Sequence, residues 1–160
     1  ILYYLLIKYI LEKIHFVGKS KFLNKAQRNT YRVLLDNLCQ EHKYVISSLN
    51  YVFMSDDELL EINQQSLNHD DYTDIITFDL SDQEGIIDGE IYISKDRIHE
   101  NAETYKTDFE EELTRVISHG LLHLMGYKDK NESDSKKMRE AENKSIQMWK
   151  HMFYMKPNNK

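Results

Sequence analysis

The segment His119–Asp129, HGLLHLMGYKD, places the strongest demand on how this chain can fold. Leu121, Leu122, Leu124 and Met125 make it apolar nearly all round. A helix of that kind is stable only when other elements cover most of its circumference. Its start is read at Thr107 and Glu110, which are spaced as a capping box. Its end is read at Gly126, because glycine readily takes the left-handed conformation of a helix C-terminal cap. The fold therefore has to supply a surface against which this helix is buried.

The rest of the chain supplies a sheet. Lys13–Val17 reads as a short first strand. Asn24 with Gln27 looks like an N-terminal cap, and Ala26, Thr30, Val33, Leu34, Asn37 and Leu38 follow at helical spacing. Leu49–Met54 reads as a strand. Ser55 and Glu58 form a capping box opening a helix to about Ser66. TDIITFDL, Thr73–Leu80, is β-branched and aromatic and reads as a strand, as does EIYIS, Glu90–Ser94. A loop holding Gly85 and Gly89 joins these two. A short helix from about Lys95 to Tyr105 precedes the histidine helix. A last amphipathic helix follows Ser133, with Met138, Ala141, Ser145, Met148, Trp149 and Met152 on one side. The expectation is an α+β fold: a single mixed sheet of about four strands covered by about five helices, with the histidine helix buried against it.

A chain of 160 residues with 41% hydrophobic and 30% charged residues is read as one domain spanning 1–160. Residues 1–10 are an uncertain N-terminal extension, and 156–160 are a polar tail holding Pro157. ILYYLLIKYIL is apolar but short, Lys8 interrupts it, and no small-residue cleavage site follows. It reads as a helix or strand docking on the domain rather than a degraded targeting segment. No run is long enough to span a bilayer. The single cysteine, Cys39, cannot form an internal disulfide, so a cytoplasmic setting is expected.

The net charge of −6 argues against broad non-specific nucleic-acid binding. Lys19, Lys21, Lys25 and Arg28 lie near the N-terminus, and Lys136, Lys137, Arg139, Lys144 and Lys150 in the C-terminal third. Interleaved acids such as Glu140 and Glu142 make these read as solvated helix faces.

His119 and His123 are four residues apart and share one helix face. Both imidazoles can reach one ion at about 2 Å, the usual zinc–nitrogen distance. Past Gly126 the chain can turn back to present Asp129. Two neutral nitrogens and one carboxylate leave a fourth tetrahedral position for water, the open geometry of a catalytic zinc site. Such an ion acidifies water and polarises a scissile oxygen. The bland alternative is a pair of core histidines bonded to backbone. The spacing H-x3-H-x2-G-x2-D also fits metzincin proteases, but those place a glutamate after the first histidine as general base, and here that residue is Gly120. Iron oxygenases also use two histidines and a carboxylate, though not usually at this spacing.

Other side chains carry weaker signals. Asp74 and Asp79 flank the TDIITFDL strand. For Asp74, orienting water or a ligand histidine and capping a turn stay open alternatives. Asp79 reads as a turn carboxylate. His69 reads as a surface-loop histidine. Tyr127 either stacks on a base or, more commonly, packs under the turn. Asp134 reads as an acid favoured at a helix start.

HGLLHLMGYKD resembles the YbeY family of metal-dependent endoribonucleases, whose signature is H-G-x-L-H-L-x-G-Y-x-H. TDIITFDL, entered from NHDDYTD, and DGEIYIS, Asp88–Ser94, look like the strands that precede it in that family, so the likeness runs from Lys13 to Trp149. The resemblance implies a single-strand-specific endoribonuclease with His119, His123 and Asp129 holding one divalent ion, most simply Zn2+. It also implies a role in ribosomal RNA processing, including 16S rRNA 3′-end maturation, and in ribosome quality control. RNA and ribosomal particles are then the expected partners, with no membrane and no small-molecule cofactor. A non-catalytic, ribosome-associated metal-binding factor is the alternative of a different class. Two positions depart from the family. Its third ligand is usually histidine, and Asp129 lowers the charge of the site from about +2 to about +1, which weakens the acidity of bound water. Many members also carry an arginine before the TD strand, where this chain has Leu67.

Overall fold

The protein is described by a computed structural model covering residues 1–18, 22–67 and 73–154. Its described elements are α1 (Leu2–Leu11), β1 (Ile14–Val17), α2 (Lys25–Glu41), β2 (Val45–Met54), α3 (Asp56–Leu67), β3 (Ile75–Asp79), β4 (Ile86–Ser94), α4 (Lys95–Tyr105), α5 (Phe109–Leu124) and α6 (Glu132–Tyr154). The α+β expectation holds: one four-stranded mixed sheet in the order β1-β2-β4-β3 lies among six described helices. The helix beyond the expected five is α1, formed by the N-terminal apolar run.

β1, β2 and β4 are parallel, and β3 closes one edge antiparallel to β4. Alternation sets the faces. Leu49, Tyr51 and Phe53 of β2 are buried, as are Ile87, Gly89, Ile91 and Ile93 of β4. Their neighbours Asn50, Val52, Glu90 and Tyr92 are only half-buried. The core forms where this buried face meets Leu34, Leu35 and Leu38 of α2 and Leu113, Ile117, Leu121 and Leu122 of α5. Tyr51 reaches across it and donates to the Ile117 carbonyl at 2.8 Å.

Both β2 and β4 are longer than the sequence suggested. In β2 the first residues include Ser47 and Ser48, and the register with β4 shifts between Ile46 and Ser48. A bulge breaks strict alternation, which is what hides such a segment from a period-2 reading. In β4 the polar pair Asp88–Gly89 interrupts the pattern, yet both residues are paired in the sheet. The TDIITFDL strand is shorter at both ends, and α6 begins at Glu132.

Helix ends follow their caps with one exception. Asn24 and Gln27 form the reciprocal capping box of α2, and Ser55 and Glu58 exchange the same pair of bonds. The box read at Thr107 and Glu110 does not form. Asp108 occupies the N-cap of α5 without a side-chain cap bond, and Thr107 Oγ1 is buried with no hydrogen-bond partner. Glu110, Glu111 and Glu112 instead place negative charge on the first turn, which favours the helix through its dipole.

Candidate metal centre

Two glycines set the placement of α5. A Cβ on Gly120 would lie 2.8 Å from Ile91 Cγ2 and 2.9 Å from Ile75 Cδ1. A Cβ on Gly89 would lie 2.8 Å from Leu124 Cδ1. The helix and the sheet therefore touch at two points where a glycine on one side makes room for side chains of the other. Position 120 faces the sheet, so no residue there can serve chemistry on the histidine face.

The C-terminus of α5 then reverses the chain. Met125 is the C-cap and Gly126 takes φ +92°. The Gly126 N–H donates to the His123 carbonyl at 3.0 Å, and the Tyr127 N–H to the Leu122 carbonyl at 3.1 Å. This pair of bonds is the Schellman arrangement, which needs a left-handed residue at the reversal. Beyond it, Ser135 Oγ donates to the Asp129 carbonyl at 2.7 Å and ties the loop to the start of α6.

These devices bring His119, His123 and Asp129 together, with one ligand-type atom from each within 4.8 Å of the others. The two Nε2 atoms are 2.9 Å apart. Asp129 Oδ2 lies 3.5 Å from His119 Nε2 and 3.3 Å from His123 Nε2. Donors around one tetrahedral ion at about 2.0–2.1 Å stand about 3.3–3.4 Å from one another. The observed triangle has that size. The other ring nitrogens are already used: His119 Nδ1 bonds Glu142 Oε1 at 2.7 Å, and His123 Nδ1 bonds the Tyr127 carbonyl at 3.0 Å. Each bond favours the tautomer that leaves the Nε2 lone pair free for a cation. The residues present therefore fit a single divalent ion.

Glu142 is the residue that sequence reasoning missed. The charge pattern predicts a solvent-facing acid in a lysine-rich helix, but Glu142 is 5% exposed. Arg115 donates to it at 3.1 Å, and Arg139 Nε is 3.6 Å away. Burial alone raises a carboxyl group's pKa, but the bonds from His119 and Arg115 hold that of Glu142 below the ordinary range. For His119 burial lowers the pKa, and Glu142, Asp74 and Asp129 together carry it above the ordinary value. A helix position i+4 from the buried Met138 was the only available signal for Glu142.

Asp74 also lies here. It shares a cavity wall with His119, Glu112, Arg115 and Glu142. Burial raises its pKa, and His119 partly offsets that. The remaining candidates lie elsewhere or have structural partners. Asp79 accepts from the Ser81 N–H at 3.0 Å, as a turn carboxylate does. Tyr127 packs against the core and shares a 3.1 Å hydrogen bond with His42 Nε2. The Asp134 N–H donates to Asn131 Oδ1 at 2.8 Å, at the start of α6. Leu67 is the last residue of α3, and His69, Lys19, Lys21 and the 156–160 tail lie outside the described residues.

An α+β domain whose buried helix offers two histidines and a following carboxylate to one cation is the class that the fold and site define. The model of the family described as Endoribonuclease YbeY matches residues 13–150, and the chain belongs to that family. It is 44% identical over 139 residues to Endoribonuclease YbeY of Cytophaga hutchinsonii, covering 87% of this chain and 97% of that protein. It is 50% identical over 112 residues to the protein of that name from Flavobacterium psychrophilum, covering 69% and 75%. The solution structure of a Thermotoga maritima protein superposes with a TM-score of 0.65 at 30% identity, covering 92% of this chain and 95% of the other. The match begins at residue 13, so α1 lies outside it.

Proposed function

We propose that this protein is a metal-dependent endoribonuclease that hydrolyses phosphodiester bonds in single-stranded RNA, and that its substrate is precursor ribosomal RNA. Membership of the endoribonuclease YbeY family supports the reaction class. The observation that carries the mechanism is the convergence of His119 Nε2, His123 Nε2 and Asp129 Oδ2. When bound there, a divalent cation supplies Lewis acidity toward water and toward a phosphodiester oxygen. Zinc suits two imidazoles and one carboxylate, while the added carboxylate also suits harder ions.

The chain's own residues do the positioning. Glu142 and the Tyr127 carbonyl fix the two imidazoles. Asp74, in the cavity wall beside His119, adds negative charge that supports that imidazole. The position that many family members fill with arginine is Leu67 here, so the ion carries most of the charge stabilisation of the phosphate. The peptidase reading finds no support, because position 120 faces Ile91 and Ile75 instead of the ion site. Ribosomal particles in the cytoplasm are the proposed setting. A buried, unpaired Cys39 is compatible with it, and no helix among the described residues is long and apolar enough to cross a membrane.

The test is cleavage of a single-stranded precursor rRNA fragment by purified protein, with and without chelator and after zinc is restored. Cleavage that stops with chelator, returns with metal and is absent in a His119→Ala/His123→Ala variant is the expected result. Undiminished cleavage by that variant overturns the mechanism.

A further inference from the structure

A second feature borders the ion site on the far side of His119. It is a cavity of about 380 Å3 whose lining includes Asp74, Asn101, Tyr105, Thr107, Arg115 and His119. The His119 ring forms the partition. Its Nδ1 edge bonds Glu142, in the cavity wall, and its Nε2 edge faces His123 and Asp129.

We infer that this cavity is a nucleobase subsite, which receives the base next to the scissile phosphate and reads it through Tyr105, Asn101 and Thr107. The inference rests on the RNA reading above. Three observations carry it. Tyr105 is 66% exposed although it lines the cavity, so its ring is available for stacking. Thr107 Oγ1 is buried without a hydrogen-bond partner in the same wall, and a buried hydroxyl left unpaired is costly unless something bonds it. Backbone geometry sets the turn that carries both: Lys106 is left-handed at φ 53°, and the Thr107 N–H donates to the Ala102 carbonyl at 3.0 Å.

Charge decides which part of a nucleotide enters. Asp74, Glu112 and Glu142 outnumber Arg115 and Arg139, and both arginines are paired with these carboxylates. Such a wall is a poor site for a phosphate and offers carboxylate acceptors to N–H donors. The phosphate therefore stays on the cation side of His119, and a base edge rich in donors fits the cavity. Guanine, which presents adjacent N–H groups, is favoured over uracil, which presents one between two carbonyl oxygens.

The experiment uses the full chain and two probes: a cleavable single-stranded RNA with each base in turn beside one scissile bond, and a counterpart whose bridging oxygens at that bond are replaced by methylene groups, which water cannot cleave, for binding by fluorescence anisotropy. Base–aromatic stacking contributes about five- to a hundredfold in affinity. Tyr105→Ala is therefore expected to weaken binding at least about fivefold, to raise KM with kcat little changed, and to leave metal content unaltered. Tyr105→Phe retains the ring and is expected to restore binding. Asn101→Ala is expected to flatten the guanine-over-uracil preference. Because Tyr105 is exposed, its truncation leaves the melting temperature close to that of the parent. Equal affinity and equal base preference in Tyr105→Ala and Asn101→Ala, with cleavage intact, overturns the subsite alone. A parent protein that neither binds nor cleaves either RNA overturns the RNA reading and the subsite with it.

Discussion

His119 uses its two ring nitrogens for different purposes. Nε2 faces the proposed ion, and Nδ1 is held at 2.7 Å by Glu142, which Arg115 secures in turn. Loss of such an orienting partner commonly costs ten- to a hundredfold in metal affinity. Glu142→Ala is expected to fall in that range when zinc is titrated against a competing chelator dye. An unchanged affinity would show that His119 needs no such support. That His119 and His123 share a face was legible from helical periodicity, and the return of Asp129 toward them from the glycine stop at Gly126. Glu142 was not, because a carboxylate flanked by Lys136, Lys137, Arg139 and Lys144 reads as solvated until the opposing helix is known to place an imidazole against it. Cys39 offers an independent check on burial. It is 1% exposed, and desolvation pushes its thiol up to about 12. Alkylation at pH 8 is therefore expected to be slow in the native protein and fast in denaturant, as read by mass spectrometry. Rapid native labelling would contradict the packing of α2.

At the scale of the element, α5 depends on what glycine lacks and on what it permits. Gly120→Ala forces a methyl group to within 3 Å of Ile91 and Ile75. Overpacking of that kind costs about 1–3 kcal/mol, measurable by urea denaturation. Gly126→Ala meets no atom within 4 Å, so its cost is conformational, from φ +92°. It is expected to lose about 1 kcal/mol and to loosen Asp129, whereas Gly126→Asn, tolerated in left-handed geometry, loses less. If the alanine and asparagine variants are equally stable, strain at the reversal is not what shapes the turn. Gly126 was legible as a helix stop for this reason. The boundaries of β2 and β4 were not, because a bulge at Ile46–Ser48 and a glycine at 89 disguise paired residues as loop. Gly89 is there because Leu124 packs onto the strand, a tertiary cause that local pattern does not carry.

At the scale of the whole molecule, the ion site joins α5, the loop after it and α6, so cation binding and folding are linked. A ligand that binds only the folded state at a hundredfold excess over Kd adds about 2.7 kcal/mol. For a chain of this size that corresponds to a rise in Tm of about 5–10 °C at 2–4 °C per kcal/mol. Chelator is expected to remove that increment in the parent protein and to have no effect on the His119→Ala/His123→Ala variant. The mixed sheet and its covering helices were legible in outline because strand and helix periods alternate cleanly along the chain. The most direct measurement is native mass spectrometry of purified protein titrated with zinc. One zinc ion per chain, lost in Asp129→Ala and in the double-histidine variant, is the predicted result. A parent protein that binds no zinc, or one whose zinc survives both sets of substitutions, would contradict a cation held by His119, His123 and Asp129.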